Sequence, residues 1–148
     1  MFAGSRDEPP WVAEKAVYVL DGDPVVGESI RYLLRTLQLD VAVFTSAEEA
    51  LPRIVEAPPL CLIAEVYLPG MTGIELLRWM EFQGVDSPVI LLATHADVPL
   101  AVEAMRLGAM DFIEKPIIEC VVLTRVREAM AGASGRRGRG GREGSAHG

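Results

Sequence analysis

Five short apolar runs alternate along the chain with five longer stretches of helical periodicity. Leu60 to Ala64 is continuously apolar and ends on one carboxylate, Glu65, before the turn VYLPGMTG. A run of that kind is the mark of a strand buried on both faces of a parallel sheet. Ala16 to Leu20 (AVYVL), Val41 to Phe44, Pro88 to Ala93 (PVILLA) and Asp111 to Glu114 (DFIE) supply the other four strands. Between them apolar residues recur at three and four positions, as on one face of a helix. Val26, Ile30, Leu33, Leu34 and Leu37 form the first such stripe, and Leu51, Ile54 and Val55 the second, inward-facing. A third helix is expected from Thr72 to about Phe82, and a fourth carries Val98, Ala101, Val102 and Met105. The last is expected over Ile117 to Ala131, with Val121, Val122 and Val126 among its apolar residues.

The ends of these helices are written in polar residues. Asp23 before Pro24 and Asp97 before Val98 are N-cap candidates, and Gly108 stands where a left-handed C-terminal residue belongs. Ser46-Ala47-Glu48-Glu49 and Thr72 to Glu75 both read as capping boxes. Pro52 removes a hydrogen bond inside the second helix and predicts a kink or a short helix there.

Strands joined by helical crossovers imply a parallel sheet covered on both faces, and right-handed crossovers favour a doubly wound α/β fold. For five strands the flavodoxin-like order 2-1-3-4-5 follows, with the ligand crevice between strands 1 and 3 at their C-terminal ends. Asp21 and Glu65 end those two strands, and Lys115 ends strand 5 with a side chain long enough to reach them.

Composition narrows this further. The 148 residues are half apolar and a quarter charged, as expected of one globular domain. No run approaches the ~18 apolar residues of a membrane span. The acidic, proline-containing start MFAGSRDEPPWVAEK is no signal peptide, so a cytoplasmic location is expected. Cys61 and Cys120 are expected to be buried, reduced thiols, and His95 and His147 are too isolated for a His-type metal cluster. Residues 1–15 read as a loose lead-in, 16–131 as the domain, and 132–148 as a disordered Gly/Arg-rich tail. The net charge of −7 divides unequally: setting aside the four arginines and one glutamate of 136–148 leaves 10 basic and 20 acidic side chains. An acidic body argues against duplex binding by the folded part and leaves the tail as the only place for nucleic acid.

An acid after strand 1, a carboxylate after strand 3 and Lys115-Pro116 after strand 5, with PGMTG (Pro69 to Gly73), THADVP and AVEAMRLGAMDFIEKP (Ala101 to Pro116), resemble the CheY-like receiver domain of response regulators. The resemblance spans about Ala16 to Ala129. The closing segment is most similar to receivers of the nitrogen-fixation regulator type, which carry a LuxR-type DNA-binding output domain. It implies Mg²⁺-dependent phosphotransfer from a histidine kinase to an Asp at 65. It further implies paired acids at 21 and 22, a carbonyl ligand near 67, a hydroxyl sensor at 93, a lysine at 115 and a switch aromatic at 112. Asp21, Lys115 and Phe112 match; Gly22, Glu65 and Ala93 do not.

These departures have physical consequences. Gly22 removes one Mg²⁺ ligand, leaving Asp21 and Glu65 as a weak or absent metal site, and Asp23 is expected to be spent on its cap. Glu65 displaces the nucleophilic oxygen by one methylene and brings one charge where phosphate brings about two. Ala93 cannot bond a phosphoryl oxygen. The expectation is therefore a pseudo-receiver, no enzyme and with no cofactor, that signals by protein contact. The acidic pocket is Asp21 and Asp23, the acceptor position Glu65, its partner Lys115, and the switch positions Ala93 and Phe112. Its working face is expected to be helix 4, strand 5 and helix 5, through Val98, Leu100, Met105, Arg106 and Arg125, towards a kinase, another regulator or output protein, or a second copy. Two alternatives stand beside it: a conventional receiver accepting phosphate on Glu65 with Mg²⁺, and a haloacid-dehalogenase-type phosphohydrolase with Asp21 as nucleophile and Asp23 as general acid.

Overall fold

The structure is a computed structural model that describes residues 16–95 and 97–139, with side chains as far as 132. Five parallel strands, β1 (Ala16–Leu20), β2 (Asp40–Phe44), β3 (Cys61–Glu65), β4 (Val89–Ala93) and β5 (Asp111–Glu114), form one sheet in the order β2-β1-β3-β4-β5. The helices are α1 (Pro24–Leu34), α2 (Ala47–Glu56), α3 (Gly73–Gln83), α4 (Val98–Arg106) and α5 (Glu119–Arg139), with a 3₁₀ turn at Arg35–Leu37. The architecture and strand order are those the hydrophobic pattern implies.

Side-chain alternation sorts the core into two layers. Val17, Val19, Cys61, Ile63, Ile90, Leu92 and Ile113 pack with Ile30 and Leu34 of α1 and Val122, Val126 and Ala129 of α5. Tyr18, Leu20, Leu62, Ala64 and Leu91 pack on the other face against Ile54 of α2, Leu76 and Met80 of α3 and Ala104 of α4. Every strand of the central three is thus buried above and below, which is why their sequences are apolar without alternation.

The caps form as expected at Asp23, Asp97 and Thr72, where both halves of the capping box are made with Glu75. At α2 the box is only half made. Ser46 accepts from the Glu49 N–H, but the Glu49 carboxylate reaches Thr45 N–H and Oγ1 instead of its own cap. The helix runs ten residues, continuous across Pro52. Val55 is 53 % exposed rather than inward, because Ala47, Ala50 and Ile54 already fill the buried stripe. Cys61 is buried, which pushes its thiol up to about 12, but Cys120 is exposed in the first turn of α5, where Val122 takes the inward position.

α5 begins two residues later than expected, the Ile118 carbonyl accepting from the Val121 and Val122 N–H groups. It also continues past Ala131 to Arg139. Alanine and arginine are strong helix formers, whereas each glycine here costs about 1 kcal/mol. The expected lead-in (1–15) and the tail beyond 139 lie outside the described residues.

Candidate functional site: an acid–lysine cleft

β1 and β3 are neighbours, with Leu20 opposite Ala64 in register. One residue further on, this register sets Asp21 beside Glu65 at the C-terminal edge of the sheet. β5 lies two strands away, beyond β4, and Lys115 follows it, its backbone N–H held by the Ala93 carbonyl at 2.8 Å. The lysine side chain closes the distance. Its Nζ lies 2.7 Å from Asp21 Oδ2 and 3.3 Å from Glu65 Oε2. Asp21 is 1 % exposed, and the side chains of Glu65 and Lys115 are each 15 % exposed. The ammonium is the charge partner of Asp21 Oδ2, which takes no hydrogen bond of good angle. The Lys115–Pro116 peptide bond is cis.

Asp23 lies beside this cleft rather than in it. Its N–H donates to Asp21 Oδ1 at 2.9 Å, while its carboxylate caps α1 by accepting the Val25 N–H at 3.0 Å. A carboxylate tied to a helix N-terminus and exposed to solvent is poorly placed as a general acid. Ala93 is fully buried at the end of β4, and Phe112 is partly buried against the core.

The loop from Val66 to Thr72 is held by contacts the sequence did not advertise. The Gly73 N–H donates to the Val66 carbonyl at 2.7 Å, and a Cβ at Gly73 would lie 2.8 Å from the Glu65 carbonyl oxygen. Only glycine allows α3 to start this close to β3. Gly73→Ala is expected to cost about 1–3 kcal/mol, read as a lower urea midpoint, because the clashing atoms are backbone and cannot swing away. Across the loop, Glu48 Oε2 accepts the Met71 N–H at 2.9 Å. The sequence marks Glu48 only as a first-turn acid of α2; nothing local to it points 23 residues ahead to this loop.

Electrostatics bind the three charges into one unit. Burial raises the Glu65 carboxyl first, the charge of Asp21 adds to this, and Lys115 opposes it, leaving the group above its ordinary value of 4.5. Burial pulls the Lys115 ammonium down, but its close contact with Asp21, then the charges of Asp21 and Glu65, more than offset that and leave it raised. The signs have opposite consequences for stability. As pH rises just above 4.5, the unfolded chain loses the Glu65 proton before the folded one, so Glu65 makes stability fall with pH in that window. The raised Lys115 supplies stability present below 10.5 and lost only as pH climbs beyond it. Glu65→Gln is expected to remove the acid-side slope while leaving the alkaline one, in urea melts from pH 4 to 11.

Mg²⁺ prefers near-octahedral oxygen ligands supplied in part by carboxylates. Here both cleft carboxylates hold one ammonium, position 22 offers no side chain, and Asp23 is engaged as a cap. Among the described residues no group of three or more His, Cys, Asp or Glu side chains gathers where it could hold a metal. The donor set does not fit the ion.

The described working-face residues are distributed unevenly. Val98 is 75 % and Met105 47 % exposed, Arg106 is exposed, and Leu100 packs partly into the core. Arg125 bridges Asp111 and approaches Glu128 at 3.6 Å. It also lines, with Phe112, Ile118 and Val121, an open depression of about 250 Å³ between β5 and α5.

Comparison with known proteins agrees with this geometry. The response regulator receiver domain family matches residues 17–127, and the chain belongs to that family. The transcriptional regulatory protein FixJ of Azorhizobium caulinodans is 42 % identical over 123 residues, 83 % of this chain and 58 % of FixJ. The C4-dicarboxylate transport transcriptional regulatory protein DctD of Pseudomonas aeruginosa is 39 % identical over 82 % of this chain and 26 % of its own. The chain therefore spans little more than half of one of these regulators and a quarter of the other. Among solved structures, FixJ-N superposes with a TM-score of 0.73 at 33 % identity, covering 80 % of this chain and 95 % of FixJ-N. A response regulator receiver protein from Pseudoalteromonas atlantica gives 0.73 at 34 % identity over 80 % and 98 %. Receiver domains belong to two-component signalling, and among the described residues no helix is long and apolar enough to cross a membrane.

Proposed function

We propose that this receiver is a pseudo-receiver, which signals through protein contacts without cycling a phosphoryl group. The observation that carries this is the Lys115 ammonium seated on both Asp21 and Glu65. It forms a carboxylate–ammonium contact at the position that a metal and an incoming phosphoryl group would have to occupy. Two unit charges 4 Å apart repel by about 4 kcal/mol at an effective dielectric of 20, roughly a thousandfold in rate if left uncompensated. One lysine, already shared by two carboxylates, leaves little to offset a third anion. Downstream, Ala93 offers no hydroxyl through which Phe112 could sense the group.

Incubation with acetyl phosphate, or with beryllofluoride and Mg²⁺, tests this. No adduct and no spectral change are expected; a stoichiometric adduct on Glu65 would overturn the proposal. Its partner is a histidine kinase, another regulator or output protein, or a second copy, engaged through α4, β5 and α5. Val98 and Met105 support that face because they expose apolar surface seven residues apart, two turns of one helix. The double variant Val98→Glu, Met105→Glu is expected to keep its urea midpoint within about 0.5 kcal/mol. It should lose self-association in sedimentation, or capture of its partner.

A further inference from the structure

α2 and α3 are fastened together at both ends. At the end nearer the cleft, Glu48 Oε2 accepts the Met71 N–H at 2.9 Å; at the other, Ser87 Oγ donates to the Pro59 carbonyl at 2.6 Å. Glu48, Leu51 and Val55 lie three and four residues apart, so the side of α2 that reaches the α3 loop also carries these two apolar residues. On α3, Arg78 pairs with Glu103 of α4 at 2.6 Å, which leaves the next residue, Trp79, on the α2 side. Phe82 follows one turn later and is 86 % exposed. Val55 is exposed as well, and Leu51 and Trp79 are only partly buried against the core. Together they form an apolar furrow about two helical turns long, roughly 10 Å. Its surroundings are acidic. Residues 47–56 and 73–86 hold six acidic side chains, all exposed, against two arginines. Both arginines are engaged, Arg53 with Glu56 at 3.0 Å and Arg78 with Glu103.

We propose that the α2–α3 face docks a cationic amphipathic helix of a partner protein, with apolar residues in the furrow and Lys or Arg along its flanks. Uncovered apolar surface with a polar rim marks a contact site, and Trp79 and Phe82 supply the aromatic anchors on which such contacts depend. Two helices side by side offer no unpaired backbone to an added strand, so a helix laid in the groove is the mode that fits. Charge selects the occupant. A second copy would bring the same acids against these, and nucleic acid or an anionic lipid surface would be repelled. A cationic helix alone matches both the furrow and its rim. The face is separate from Val98 and Met105 on α4, and the inference is independent of whether Glu65 accepts phosphate.

The probe is a synthetic leucine–lysine peptide of about 14 residues, four helical turns, with its leucines at three- and four-residue spacing. Binding is read from Trp79 fluorescence in the full chain carrying Trp11→Phe, which removes the other tryptophan. A saturable blue shift is expected. Phe82→Ser and Val55→Ser, both at exposed positions, should each weaken binding roughly tenfold and leave the urea midpoint unchanged. Glu56→Gln with Asp86→Asn should weaken it about threefold at low salt and less as salt screens the rim. Val98→Glu, Met105→Glu should bind as the parent does, which separates this face from the one on α4. A peptide of the same composition with leucine and lysine alternating, or a leucine–glutamate helix, should leave Trp79 unshifted. No shift with the cationic helix, an equal response to either control peptide, or unchanged affinity in both Ser variants would each overturn the proposal. So would self-association in sedimentation that Phe82→Ser abolishes, because the occupant would then be a second copy.

Discussion

Lys115→Met is expected to destabilise the domain by about 3–5 kcal/mol, the cost of leaving a buried charge without its partner. Asp21 is 1 % exposed and cannot recover water when the ammonium is gone. Glu65, beside it, would turn from a second anchor into a source of repulsion. The loss should appear in urea denaturation near pH 7 and shrink on acidification, because protonating Glu65, whose carboxyl is already raised, removes one of the two repelling charges. Adding Asp21→Asn is expected to return more than half of the lost stability, since the orphaned charge goes with it. A Lys115→Met variant within about 0.5 kcal/mol of the parent would mean that the ammonium is not the charge neutralising this cleft.

The second large effect is a gain. Gly22→Asp, Glu65→Asp and Ala93→Thr together restore the second acid, the shorter acceptor and the hydroxyl that the family pattern calls for. The triple variant is expected to form a Mg²⁺-dependent beryllofluoride adduct and to react with acetyl phosphate on the order of a thousandfold faster than the parent. Glu65→Asp alone should gain little, because the metal would still lack a ligand and Lys115 would still hold the remaining carboxylates. Space permits the change at 22. A Cβ there lies 3.3 Å from Pro69 Cδ, so the ring needs to give only a few tenths of an ångström. A triple variant as inert as the parent would place the block elsewhere than in these three positions.

The site was legible in outline because its residues sit at strand ends, and strand ends are marked by apolar runs. Asp21, Glu65 and Lys115 could each be placed at the same edge of the sheet from spacing alone. Asp23 was legible as a cap for the same local reason, being followed by Pro24. Glu48 was not: its contact with Met71 joins the first turn of α2 to a loop 23 residues further on, and no local periodicity encodes it. Cys120 and Val55 were misplaced because apolar character near a helix says nothing about which side is already filled.

The order of strands, the two-layer cover and the identity of the cleft residues were determined by the sequence itself. Hydrophobic period, cap chemistry and crossover handedness are properties of short segments, and they leave few ways to assemble five such units. Only the tertiary structure decided how Lys115 divides itself, 2.7 Å from Asp21 and 3.3 Å from Glu65, and that Glu48 reaches across to the Met71 N–H. Those depend on distances across the sheet and between loops, quantities set by all the layers at once.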